Sequence, residues 1–205
     1  RLPSLRLASY DENEKLLNKH FKKLTDEYDT VIAISLTDSK GRELELTNTY
    51  NDLGKKAQNV QYHYFDFHKE CARMKYENIS KLITSISKEL EAVHWTELNT
   101  EKNQNGVIRT NCVDCLDRTN VVQSAIARII LEKQIKQANC VCDYDSGFRN
   151  AWTDNANYIS IQYSGTPALK TDFTRTGKRT KMGALSDGKN SMMRYYINTF
   201  EDGTR

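Results

Sequence analysis

No apolar run in this 205-residue chain approaches the ~18–20 residues of a membrane-spanning helix, and no leader with a short apolar core opens it. A membrane span and a secretory leader are not expected. Five cysteines, at 71, 112, 115, 140 and 142, are an odd number without the spacing of a secreted disulfide framework, which points to a reducing, intracellular setting. Internal repeats and low-complexity tracts are absent. Metal-ligand spacing is poor as well. His68 and Glu70 stand only two apart at the end of an apolar stretch, the position of packing or loop-organising residues. Cys112-x2-Cys115 and Cys140-x-Cys142 would make four thiolates, but the second pair is too tightly spaced for a zinc loop. The chain is expected to need no metal and no cofactor.

What is present reads as one α/β domain. The hydrophobic fraction of 38% is modest but sufficient for a core at this length. Asn13 to Tyr28 has a helical period. Val31-Ile-Ala-Ile-Ser-Leu36 is an apolar run of the kind that forms a buried strand. A turn at Ser39-Lys-Gly41 is followed by Leu44-Glu-Leu46, whose alternation suggests a paired strand, and then by a polar loop from Asn48 to Asn59. Val60 to Phe67 reads as an aromatic-rich strand. Ile79, Leu82, Ile83, Ile86, Leu90 and Val93 mark one amphipathic helix. A short strand at Val107-Ile108 comes next, then a loop, then a helix from Val121 with apolar residues at 122, 125, 126, 129 and 130. Trp152, Asn155, Ile159 and Tyr163 give a last helical face. The expected fold is a mostly buried central sheet flanked by helices, with a strand–loop–helix phosphate site.

That loop, Arg109-Thr-Asn-Cys-Val-Asp-Cys-Leu-Asp-Arg-Thr-Asn120, is the most informative stretch. A thiol at 112 and a guanidinium at 118, with five residues between them, suit attack on a phosphate ester. The sulfur is the nucleophile, and the planar cation grips two phosphate oxygens. A helix start directly after the loop offers backbone N–H groups and a positive dipole end to an anion, and the same field favours thiolate. Asp114 and Asp117 are both within reach of a leaving group. Thr119 or Asn120 is suited to cap the helix. Asp114 is preferred as the acid, because Asp117 adjoins Arg118 and would pair with and orient it. The loop holds no glycine between Cys112 and Arg118, so its backbone is constrained, and a resting geometry with Arg118 turned away is one expectation. Cys115 offers a second one, a reversible disulfide with an oxidised Cys112.

Beyond the loop, charge is uneven. The chain is +3 overall, yet residues 170–194 hold seven basic and two acidic side chains, a net +5 that leaves −2 for the rest. Lys170, Arg175, Lys178 and Arg179 in this window, with Gly177 freeing the backbone, suit a polyanionic headgroup on an anionic membrane face. Nucleic acid is the weaker reading, since the run lacks interleaved aromatics and any nucleic-acid motif.

The loop resembles the signature of the Sac-domain phosphoinositide phosphatases. Tyr64-Phe-Asp-Phe-His-Lys-Glu-Cys71, Ala151-Trp-Thr-Asp-Asn-Ala-Asn157, Tyr163-Ser-Gly-Thr166 and the block Ala168 to Thr180 extend the resemblance from about Tyr28 to Arg205. It implies that residues 1–205 are the catalytic portion of a Sac domain, with the family's N-terminal subdomain and C-terminal regions outside the chain. It implies Cys112 as nucleophile and Arg118 as phosphate clamp, with an aspartate of the loop as acid. Substrate contacts would come from Asn111, Val113, Cys115, Leu116 and Thr119 in the loop and from Lys170, Arg175, Lys178 and Arg179 in the basic block. The expected activity is hydrolysis of a phosphate monoester from an inositol lipid, phosphatidylinositol 4-phosphate or 3-phosphate, through a phosphocysteine. The expected site of action is the cytoplasmic face of an endomembrane. A non-catalytic phosphoinositide-binding scaffold and a dual-specificity protein phosphatase are the alternatives. The missing loop glycines and the basic block disfavour the last.

Overall fold

The computed structural model describes residues 5–97, 100–178 and 180–201 of the chain, the side chains of Met74 and Glu201 excepted. The chain divides into two units between Asp114 and Cys115, inside the stretch that carries the candidate site.

The first unit, Leu5–Asp114, is built on a parallel sheet. Helix α1 (Tyr10–Tyr28) starts at Ser9, whose side chain accepts the Glu12 N–H. Strand β1 (Thr30–Ser35) follows and is buried from Val31 onward, as its unbroken apolar run requires of a strand covered on both faces. After a short turn of 3-10 helix comes α2 (Leu44–Lys56), then β2 (Val60–Tyr64) and a one-turn helix α3 (Phe67–Glu70). Helices α4 (Ile79–Ser85) and α5 (Ser87–Val93) lead to β3 (Gly106–Asn111). The strand order is β2-β1-β3, with β1 parallel to both neighbours. Phe21 of α1 packs with Val31 and Ala33 of β1, and Leu17, Leu24, Tyr50 and Val107 close around them.

Three expectations change here. Residues 44–56 form a helix where a strand and most of a loop were expected, and only 57–59 remain loop. The helix buries Thr47, Leu53 and Gly54, so the inward face carries small and polar residues that hide the helical period. Gly54 is needed there, because a Cβ would run into the Tyr62 ring. The strand read over 60–67 ends at Tyr64. Asp66 leaves the sheet to cap α3, accepting the Lys69 N–H at 3.0 Å. The helix over 79–93 breaks at Ile86, which has φ −104° and ψ 8°. Flanking serines help to break it: Ser85 Oγ bonds the Leu82 carbonyl at 2.7 Å and Ser87 Oγ the Thr84 carbonyl at 3.0 Å, side-chain bonds that compete with helix continuation. Leu82, Ile86, Leu90 and Val93 are nonetheless all buried, as their spacing predicts.

The second unit, from Cys115 onward, is helical among its described residues. It contains α6 (Asp117–Gln137), α7 (Asp145–Ser164), α8 (Thr171–Thr176) and α9 (Lys181–Tyr196). Helix α7 forms where expected, but its buried face is Thr153, Ala156, Ser160 and Ser164. Ile159 and Tyr163 point outward, 47% and 71% exposed. Small side chains let α7 lie close to its neighbours, and two hydroxyls bond back along the helix: Thr153 to the Arg149 carbonyl and Ser164 to the Ser160 carbonyl, each at 2.8 Å. Helix α8 stops at Gly177, in the left-handed region at φ 73°, where a residue with a Cβ would be strained. Thr180 Oγ1 then caps α9 by accepting the Gly183 N–H at 2.9 Å.

Candidate active site

An order of β2-β1-β3 reverses the direction of strand addition between β1 and β3. In open parallel sheets, ligands bind beyond the carboxyl ends of the strands at such a reversal. The carboxyl end of β3 is Asn111, and Cys112 comes next. The Leu36 N–H donates to the Asn111 carbonyl at 2.8 Å, extending the β1–β3 ladder to the residue before the thiol. Arg109 clamps the same strand end. Its guanidinium donates to His20 Nε2 at 3.1 Å, to Tyr50 Oη at 3.0 Å and to Asn111 Oδ1 at 2.8 Å. Arg109 was not singled out as a site residue. The only signal for it is its place in the Arg109–Asn120 stretch.

Cys112 is buried, 6% exposed, and its thiol donates to Asp114 Oδ1 at 3.4 Å. Val113 is exposed. Asn111, Cys112, Val113 and Asp114 therefore lie together at one strand end. All five cysteines are thiols. Cys115 lies in the left-handed region, φ 55°, in a stretch without glycine, where a side chain costs about 1–2 kcal/mol of backbone strain. His68 and Glu70 have separate tasks nearby in the sequence. His68 Nδ1 lies 2.8 Å from Asp38 Oδ1, and Glu70 pairs with Lys81 at 3.1 Å.

On the helical side, α6 begins at Asp117 and buries Asp117, Arg118, Thr119 and Asn120 in its first turn. Leu116 is buried just before it. The expectation that Thr119 or Asn120 caps this helix is not met. Both lie inside the helix, no side chain caps its start, and the buried Thr119 Oγ1 and Asn120 Oδ1 accept no hydrogen bond. The partner expected for Asp117 also changes. Its Oδ2 accepts Arg194 Nη1 at 2.9 Å, and its Oδ1 accepts the Leu169 N–H at 2.6 Å.

Arg194 organises this unit. Besides Asp117 it donates to Thr166 Oγ1 at 2.9 Å, Ser160 Oγ at 2.8 Å and the Pro167 carbonyl at 3.1 Å. One side chain of α9 thus ties down α6, α7 and the segment before α8. In the sequence Arg194 is only one charge of the basic window over 170–194. The block Ala168 to Thr180 is partly joined to the α6 start. Leu169 meets Asp117, and the Lys170 N–H donates to both Asp187 carboxylate oxygens at 3.0–3.1 Å. Arg175 is exposed and 3.8 Å from Asp154, and Lys178 is exposed. Arg179 lies outside the described residues.

A family model described as the SacI homology domain matches residues 2–72, so the likeness begins ahead of the Tyr28–Arg205 region read from the motifs. An uncharacterized Schizosaccharomyces pombe protein is 46% identical over 203 residues, 91% of this chain and 34% of its own length. The Drosophila melanogaster phosphatidylinositol-3-phosphatase SAC1 is 46% identical over 204 residues, again 91% of this chain and 34% of the relative. The Saccharomyces cerevisiae phosphatidylinositol-3-phosphatase SAC1 is 38% identical over 208 residues, 91% and 33%. The chain is a homologue of the Sac phosphatases. It spans about a third of the length of these curated relatives. Among its described residues no helix is long and apolar enough to cross a membrane.

Proposed function

We propose that this Sac homologue is a phosphoinositide phosphatase that removes a phosphate monoester from the inositol ring of a membrane lipid, phosphatidylinositol 4-phosphate or 3-phosphate, without a metal. The observation that carries this reading is the Arg109–Asn120 stretch, which ends β3 and places Cys112 directly after it, with the Cys112 thiol donating to Asp114. The relatives named as phosphatidylinositol-3-phosphatases support the substrate class.

In this mechanism Asp114 takes the Cys112 proton as phosphate binds. The sulfur attacks phosphorus in line, the S–P bond forms, and the P–O bond to the inositol breaks. The proton passes from Asp114 to the departing inositol oxygen. Water, deprotonated by Asp114, then hydrolyses the phosphocysteine and restores the thiol. Arg118 and the N–H groups at the start of α6 stabilise the phosphoryl oxygens as charge shifts onto them. Asn111, Val113, Cys115, Leu116 and Thr119 line the phosphate. Asp117 stands apart from the proton transfers, because its oxygens are taken by Arg194 and Leu169. Lys170, Arg175, Lys178 and Arg179 draw the headgroup and the anionic surface around it, on the cytoplasmic face of an endomembrane.

The test is phosphate release by the chain from a panel of mono- and bisphosphorylated phosphoinositides and a phosphotyrosine peptide. Release from the monophosphorylated lipids, blocked by vanadate and indifferent to EDTA, is expected. Turnover of the peptide alone would establish a protein phosphatase instead, and binding of the lipids without release would establish a scaffold.

A further inference from the structure

Helix α9 is turned inside out. Gly183, Asp187, Asn190 and Arg194, spaced four, three and four apart, are its half-buried positions. Two of them carry the contacts already described, Asp187 to the Lys170 N–H and Arg194 to Asp117. The face that meets the rest of the unit is therefore polar and charged. The opposite face carries Met182, Leu185, Met192 and Tyr196, which are 75%, 70%, 76% and 51% exposed. These side chains and Lys189 line one continuous open groove. A stripe of this kind, about four turns long with aliphatic, thioether and aromatic side chains, is larger than scattered surface apolar residues explain.

Charge identifies what the stripe meets. Lys181 and Lys189 are exposed, and Lys189 stands within the stripe. The one acid of α9, Asp187, faces inward to the Lys170 N–H. An apolar face rimmed by lysines and cleared of carboxylates matches a helix that lies in the interface of an anionic bilayer, its apolar side chains among the upper acyl carbons and its ammonium groups at the lipid phosphates. A complementary protein groove would place acids against those lysines, and a second copy of the same stripe would bring lysine against lysine.

We infer that α9 is a membrane-docking helix, which holds the chain on an anionic lipid surface through Met182, Leu185, Met192 and Tyr196 with Lys181 and Lys189. This rests on the lipid-phosphatase reading only for the kind of surface, and it requires no turnover.

Vesicle co-sedimentation of the chain tests it, using phosphatidylcholine alone and phosphatidylcholine with about 30% phosphatidylserine, both free of phosphoinositide. Binding to the anionic vesicles is expected, and it should be weak on the neutral ones. Leu185→Gln with Met192→Gln should lower the partition about tenfold or more. Leu185→Phe with Met192→Leu, which keeps the apolar surface, should bind as the wild type does. The substituted side chains are solvent-exposed, and an unchanged circular dichroism spectrum is the control for a retained fold. Cys112→Ser should bind unchanged, which separates docking from catalysis. Absence of binding to anionic vesicles would overturn the inference, as would a glutamine pair that binds like the wild type. Equal binding to neutral vesicles would remove the role of the lysines. A wild-type dimer that the glutamine pair converts to monomer would assign the stripe to a second copy.

Discussion

Asp114 and Asp117 are the same side chain three residues apart, and their surroundings separate them. Asp114 faces the thiol at 3.4 Å, where the proposed mechanism moves a proton. Asp117 accepts from Arg194 and from a backbone N–H, and its side chain is 8% exposed against 13% for that of Arg194. Asp114→Asn should lower kcat about 10²–10³-fold with little change in melting temperature, since it removes a proton carrier and no packing. Asp117→Asn should instead lower stability by about 3 kcal/mol, because it leaves a largely buried guanidinium without its counter-charge. Steady-state kinetics and thermal melts on the two variants check this, and a reversed pattern would exchange their roles. The sequence favours Asp114 as the acid by setting Asp117 beside Arg118, and the proposed role of Asp114 stands instead on its contact with the thiol. The sequence suggested Arg118 as the partner of Asp117 by adjacency, whereas the partner recorded here lies 77 residues away, a pairing that no local pattern encodes.

At the scale of elements, legibility followed where apolar residues sit. Strand β1 and the face of α4 and α5 were readable because each buries its apolar positions. Helices α2 and α7 misled for the opposite reason: Thr, Gly, Ala and Ser occupy their inward positions, and much of the hydrophobic signal lies outside. Helices α8 and α9 show no apolar period in the sequence: α8 is only six residues long, and α9 is held through Asp187 and Arg194 in place of an apolar face. Arg194→Met keeps much of the volume but removes four hydrogen bonds, and it should destabilise the protein by about 3 kcal/mol, readable as an earlier denaturant midpoint. In the sheet unit, α1 meets β3 through His20 and Arg109. Burial first, and then the Arg109 and Lys23 charges, hold the His20 imidazole below its ordinary 6.5. The unfolded chain therefore binds this proton more readily than the folded one. The stability linked to His20 is complete above pH 6.5 and declines as pH falls from there toward the lowered native value. Melting should come earlier at pH 5.5 than at pH 7.5, and His20→Gln, which keeps an acceptor without titrating, should shrink the difference.

For the whole molecule, the residues proposed to carry the chemistry are easier to read from the sequence than the fold is. The thiol, the cation and the loop acids are adjacent in the chain, so a local signature contains them. Along the chain, the division between the two units falls within this loop, after Asp114. Cys112 belongs to the strand end of one, and Arg118 to the helix start of the other. The residues that hold each half in place, Arg109 with His20 and Tyr50, and Arg194 with Asp117, draw on distant parts of the chain, so they emerge only once the fold is known. The proposed phosphocysteine chemistry depends on Cys112. The most direct measurement compares phosphate release from phosphatidylinositol 4-phosphate and 3-phosphate by the wild-type chain and by Cys112→Ser, with thermal melts alongside. The expected result is turnover in the wild type and none in Cys112→Ser at unchanged melting temperature. Turnover retained in Cys112→Ser would contradict a phosphocysteine mechanism.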